Sequence, residues 1–187
     1  MNILLDKLPE SVRFNGYEYP INADFRAGIQ FEMLILDHTI NDEDKAIQAL
    51  QIYYGEIPSD PKTALEAAIS FYRCGRDDET NSGSGSSNEV PYSYEYDAGY
   101  IAASFMEQYG VDLNSVEFLH WWKFKSMFDS ISENTMFSKA IGYRTAKVDK
   151  NMSSEEKSRL KKLQRAFAIP RPKAERDMMR ELEEEWK

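Results

Sequence analysis

The sequence predicts a mainly α protein, a helical bundle with a small N-terminal β-hairpin. Three observations predict it. Apolar residues recur at steps of three and four through most of the 187 residues. Capping residues and helix breakers punctuate those stretches at helix-length intervals. One stretch only, around Asn15-Gly16, alternates with the two-residue period of strands on both sides of a tight turn.

The hairpin comes first. Val12 and Phe14 flank Arg13, Asn15-Gly16 makes the turn, Tyr17, Glu18 and Tyr19 return, and Pro20 ends the second strand. A lone hairpin is marginal in water, so it must lie on the helices that follow. Asp24 caps a helix carrying Phe25, Ile29, Phe31, Met33, Leu34 and Ile35 up to Asp37. Asn41 or Asp42 caps a second, with Ala46, Ile47, Leu50, Ile52, Tyr53 and Tyr54 before Gly55. Asp60-Pro61 opens a third, because proline at the first helical position gives up an N–H that has no helical partner there. Its stripe is Ala64, Leu65, Ala68, Ile69 and Tyr72. Residues 1–75 thus read as a hairpin plus three helices.

Residues 76–91 are polar and Gly/Ser-rich and read as a flexible linker or loop. An aromatic-rich helical unit follows over 92–170. Tyr94, Ala98, Ile101, Phe105 and Tyr109 share one helix face, and Ala102 and Ala103 are small enough to admit a close neighbour. Glu95 and Asp97 fall in the expected first turn, and Gly110 ends the helix. Asp112 or Asn114 is placed to cap the next helix, which carries Phe118, Leu119, Trp121, Trp122, Phe124, Met127, Phe128 and Ile131. Those residues cover more than one face, which predicts deep burial or packing on both sides. The predicted core is Ile101, Phe105, Phe118, Trp121, Trp122 and Phe128. Each large aromatic side chain buries on the order of 150–250 Å².

Ser132 and Glu133 begin a short helix with Met136, Phe137, Ala140 and Ile141, broken at Gly142-Tyr143-Arg144. Ser153 or Ser154, followed by Glu155 and Glu156, makes a capped start for another, through Leu160, Leu163 and Phe167 to the stop at Pro170 and Pro172. Residues 171–187 read as a charged C-terminal helix with Met178, Met179, Leu182 and Trp186 at helical spacing, docking weakly or on another subunit. The whole is expected to form one compact domain.

The net charge is −9, which disfavours nucleic acid and anionic membrane surfaces as partners of the whole protein. The charge is uneven. Residues 1–90 hold 7 basic and 16 acidic side chains, and residues 139–173 hold 11 basic and 3 acidic. The single cysteine, Cys74, excludes an internal disulfide framework. The start MNILLDKLPE is too short in apolar length for a signal peptide, and no run approaches a membrane span. The expectation is a soluble, intracellular protein. His38 and His120 are the only histidines, and neither lies in a catalytic or metal-binding pattern. The acidic runs 42–44 and 77–79 lack the glycine-positioned loop of a calcium site, and SGSGSS is not a phosphate loop. No catalytic residue, metal ligand or cofactor site is therefore assigned, and the chain is read as a non-enzyme.

The basic stretch 139–173 is the one charge feature that suggests a partner: an acidic surface, including the chain's own N-terminal lobe, or nucleic acid. A solvated helix face is the plain alternative. The candidate partner-binding residues are Lys157, Lys161, Lys162 and Arg165, with Met178, Leu182 and Trp186 beyond them.

The phrase YEYDAGYIAASFMEQYGVDL, then LHWWKFKSMFDSI and IGYR, resembles the bacteriophage gene-product-fifteen family of tailed phages and prophages of Gram-positive bacteria. The opening MNILLDKLP, the stretch NGYEYPINADFR and the late basic helix ending in AIP extend the resemblance from Met1 to about Pro170. It implies a tail assembly chaperone that binds the tape-measure protein, together with the major tail protein, as a homo-oligomer. It implies the host cytoplasm as the location and absence from the finished virion. A minor tail or connector protein kept in the virion is the alternative, and a nucleic-acid-binding regulator a further one. The resemblance transfers no site residue.

Overall fold

The computed structural model describes residues 2–76 and 91–170. Strands β1 (Ser11–Phe14) and β2 (Tyr17–Pro20) pair antiparallel, with Val12 opposite Tyr19 and Phe14 opposite Tyr17. Asn15 (φ 51°) and Gly16 (φ 80°) both adopt positive φ, as the turn that matches strand twist requires. Phe14 stacks on Tyr19 at 3.9 Å and buries with Leu50 and Ala64. Asn15 Nδ2 donates to Asp60 Oδ2 at 2.9 Å, which ties the turn to the third helix.

Helices α1 (Phe25–Leu36), α2 (Asp42–Tyr54) and α3 (Pro61–Tyr72) follow as the caps predict. Asp24, Asn41 and Asp60 each accept a backbone N–H of the first turn, and Gly55 closes α2 in the left-handed conformation. The second half contributes α4 (Ala98–Tyr109), α5 (Trp121–Asp129), α6 (Met136–Thr145) and α7 (Ser154–Ala166). Among the described residues the fold is therefore mainly α, with one two-stranded sheet. No described helix is long and apolar enough to cross a membrane.

Three local expectations are corrected. Tyr94 precedes α4 and packs on Phe128 at 5.6 Å rather than joining the helix stripe, and Glu95 and Asp97 also precede the first turn, which holds no acidic residue. The helix expected from Asp112 or Asn114 starts instead at Trp121. Asp112 closes only a turn, accepting from the N–H groups of Asn114, Ser115 and Val116. The next residues run extended, because their backbone pairs with α1's entry: Phe25 N donates to Leu119 O at 2.8 Å and Trp121 N to Ala23 O at 2.7 Å. Phe118 sits in that extended stretch and is 52% exposed, so its assignment to the core is wrong. An extended backbone sends neighbours to opposite sides, and Leu119 takes the buried one. Lastly, α6 is capped by Thr135 and runs through Gly142-Tyr143-Arg144 without a break.

The remaining five predicted core residues, Ile101, Phe105, Trp121, Trp122 and Phe128, are buried. Phe124 is the hub among them, with Phe25, Phe105, Trp121 and Phe128 rings 5.0–5.8 Å away. α5 crosses α1 at Gly28, where a Cβ would lie 2.2 Å from Trp121 Cε3. Ala103, also small enough to admit a neighbour, is exposed. The two indoles also finish α3: Trp121 Nε1 donates to Tyr72 O and Trp122 Nε1 to Phe71 O, each at 2.8 Å. Those carbonyls are among the last of a helix and have no partner within it.

Candidate partner-binding site

The sequence marks α7, and the structure shows what holds it. Ser153 accepts from Glu156 N while the Glu156 carboxylate accepts from Ser153 N, a complete capping box. At the other end Arg144 reaches from α6 and donates its Nε–H to Phe167 O. The same guanidinium grips Asp97 with two bonds of 2.7 Å and donates to Pro91 O at 3.1 Å. Asp97 is 1% exposed and the Arg144 side chain 12%. One cation thus joins Pro91, the start of α4 and the end of α7. Bidentate guanidinium–carboxylate geometry is the strong form of this contact. Gln164 adds a bond to Ala146 O, and Phe167 lies 5.3 Å from the Tyr143 ring.

No residue of α7 is buried. Lys157, Lys161, Lys162 and Arg165 therefore stand together on one helix with Arg159, and none forms an ion pair among the described residues. Lys157 alone has a polar contact, its amine donating to Lys150 O at 3.2 Å. Met178, Leu182 and Trp186 lie outside the described residues, as does most of the expected linker.

A second exposed surface escaped the sequence reading. At the turn end of the α1–α2 hairpin, Met33, Ile35, Leu36 and Ile47 are all exposed, although Met33, Ile35 and Ile47 read in sequence as part of the apolar stripes of their helices. Asp42, Glu43 and Asp44 stand exposed in the first turn of α2, and Asp37 ends α1. The hydroxyl and backbone N–H of Thr39 hold the Asp37 carboxyl below the usual carboxylate range. A separate open groove of about 490 Å³ lies beside Phe118, lined by Glu10, Pro20, Ile21, Asn22 and Ala23.

The buried polar groups serve structure. Glu32 on α1 accepts from the phenols of Tyr72 and Tyr92, tying α1 to α3 and to the start of the second half. Burial, and after it the Glu32 charge, pushes both phenols up. His120 caps α5 with Nδ1 and bonds Pro9 O through Nε2 at 2.8 Å. Burial raises the Cys74 thiol to about 11. Among the described residues no His, Cys, Asp and Glu side chains cluster in a way that would hold a metal ion. None of Gly28, Glu32 and the Asp97–Arg144 pair was singled out from sequence, since each matters through a residue distant in the chain.

The stretches that carried the family resemblance now have places: Asp97 and Arg144 are the buried ion pair, and His120, Trp121, Trp122 and Phe124 are the cap and core of α5. The sequence profile of the family Bacteriophage Gp15 protein matches residues 4–169. The chain belongs to this family. It is therefore a bacteriophage protein, and the match runs through the last described helix. No curated protein and no solved structure matched the chain.

Proposed function

We propose that this family member is a tail assembly chaperone that binds the tape-measure protein, keeps it soluble and gathers tail-tube subunits along it, acting in the host cytoplasm as several copies and leaving before the virion is complete. Membership of a bacteriophage family supports the setting. The observation that carries the reading is α7, a fully capped helix that buries none of its residues and leaves five cations without ion pairs among the described residues. A helix so built is made to meet something outside its own chain. Apolar side chains left exposed on α1 and α2 add surface of the kind a holding protein offers an apolar client. Lys157, Lys161, Lys162 and Arg165 form the partner-binding side, and Met178, Leu182 and Trp186 meet the client. The protein acts without catalysis, cofactor or metal.

Co-expression with the tape-measure protein tests this reading. A soluble client that co-elutes with many copies of the chain is the expected result, and Met178→Ala/Leu182→Ala/Trp186→Ala reduces the client recovered. An insoluble client, with the chain itself found in purified virions, replaces the chaperone by a structural tail component.

A further inference from the structure

α7 and the turn end of the α1–α2 hairpin are opposite in charge. Ser154–Ala166 carries five cations against Glu155 and Glu156, a net of +3. Residues 37–47 carry Asp37, Asp42, Glu43 and Asp44 against Lys45, a net of −3. Carboxylates in the first turn of α2 suit the positive helix end. That accounts for the acids and leaves unexplained the apolar side chains beside them. Met33, Ile35, Leu36 and Ile47 are 38–45% exposed, apolar side chains at positions where a solvated helical hairpin would show polar residues. The amine of Lys45 is engaged by Ile35 O at 2.8 Å, so the corner's one cation is drawn back to its own backbone.

α7 supplies the matching half. Its cations are long and without ion pairs among the described residues, all but the half-buried Lys157 are exposed, and Leu160 and Leu163 are only half-buried. Within the chain, α7 packs on α6 while α1 packs on α2 and α5, and no ion pair among the described residues joins α7 to the acidic corner. The two surfaces are thus complementary and unmatched among the described residues of one copy.

We infer that α7 of one copy docks on the acidic, apolar corner of α1 and α2 of a second copy, joining the chains head to tail. The second copy is the occupant because this chain carries both halves of the match. An interface between two different patches leaves a free α7 at one end and a free corner at the other. Copies therefore add into a ring or a filament and do not stop at a two-fold dimer. The inference rests on the partner-binding reading of α7 and names its partner. A string of copies would offer a long client many equivalent contacts.

The test uses the full chain and two charge-reversed variants, Lys161→Glu/Lys162→Glu and Asp42→Lys/Asp44→Lys. All four positions are exposed, so neither variant disturbs the core. In sedimentation velocity at low salt, the wild-type mass grows with concentration. The apparent dissociation constant rises on the order of tenfold between 0.05 and 0.5 M salt. Each variant alone is monomeric, since its two docking surfaces now share a sign. Mixed in equal amounts, the variants assemble again, because each reversed surface meets the other's reversed surface and the intact ones still match. A monomeric wild type overturns the inference, and so does a mixture that stays monomeric, or an oligomer that both variants reproduce. A monomeric wild type that still solubilises the tape-measure protein overturns head-to-tail docking and leaves the client reading standing. If Asp42→Lys/Asp44→Lys then loses the client, the corner's occupant is a client helix and not a second copy.

Discussion

α5 and α7 are both capped helices, and opposite forces make them so. α5 has nine residues and buries Trp121, Trp122, Phe124 and Phe128. An isolated helix in water is marginal below about 12–15 residues, so α5 exists because the core closes around it. α7 has thirteen residues, buries none, and rests on a capping box and a run of Leu, Lys, Arg and Gln, all good helix formers. The first helix is held by buried side chains, the second by its own capping and propensity together with polar and ring contacts at its end. Breaking α5 must unfold the protein, whereas breaking α7 must change one helix.

The largest expected effect lies at the α1–α5 crossing. Trp121→Ala removes a fully buried indole and its bond to Tyr72 O, at a cost of about 3–5 kcal/mol. Gly28→Ala attacks the same contact from the other side. Its new methyl group lands on the Trp121 ring, for about 1–3 kcal/mol of overpacking or more. Urea unfolding followed by far-UV circular dichroism should show one earlier transition for the whole protein in both variants. A loss below about 1 kcal/mol for Trp121→Ala would mean that α5 is not what holds the core.

Next comes the ion pair that links the two regimes. Arg144→Met leaves Asp97 buried and uncompensated, for about 3–5 kcal/mol. It also releases Phe167 O, so hydrogen exchange in α7 should rise more than the global loss explains. Asp97→Asn keeps that bond to α7 and should spare α7 while still lowering global stability.

These elements also show what a sequence can tell. The hairpin turn, the caps at Asp24, Asn41 and Asp60, and the Ser153–Glu156 box were legible because each is decided within four residues. The grouping of Lys157, Lys161, Lys162 and Arg165 on one helix was legible for the same reason. The start of α5 was not, since backbone bonds to residues 23–25 pull residues 119–121 out of the helix they would otherwise extend. Nor was the continuity of α6 past Gly142, which places Arg144 in the last helical turn, in reach of a carboxylate 47 residues away. The acidic corner was missed because Met33, Ile35 and Ile47 read in sequence as part of the apolar stripes of their helices. Spacing identifies a stripe and does not say whether anything covers it.

Ser153→Ala sharpens the comparison at the next level down. It removes the cap of α7, worth about 1 kcal/mol to that helix. The helical signal should fall by part of one helix with the main unfolding transition in place, the reverse of Trp121→Ala. A shifted main transition would show that α7 belongs to the cooperative core after all. Phe118→Ser, adjacent to the core in sequence but exposed, should change stability by no more than about 0.5 kcal/mol.

The smallest effect reports on the core without disturbing it. Cys74 is the only cysteine and packs against the cluster around α5. Burial is the main cause that raises its thiol to about 11, against an ordinary value of about 8.5. The sign follows: the fold favours the neutral thiol, so this group's contribution is fully present below pH about 8.5 and declines as pH rises towards 11. Because the thiolate is the reacting species, alkylation should stay slow through pH 8–9 and accelerate towards pH 11. The unfolded chain should instead level off above about 8.5. Ser153→Ala should leave that profile unchanged, since uncapping α7 opens nothing near α3. Trp121→Ala should move it towards the unfolded profile at neutral pH, because a loosened α5 uncovers the end of α3 where the thiol sits. Equal profiles in the two variants would mean that α5 and α7 are coupled, and that the division between a helix made by burial and a helix made by its own sequence does not hold.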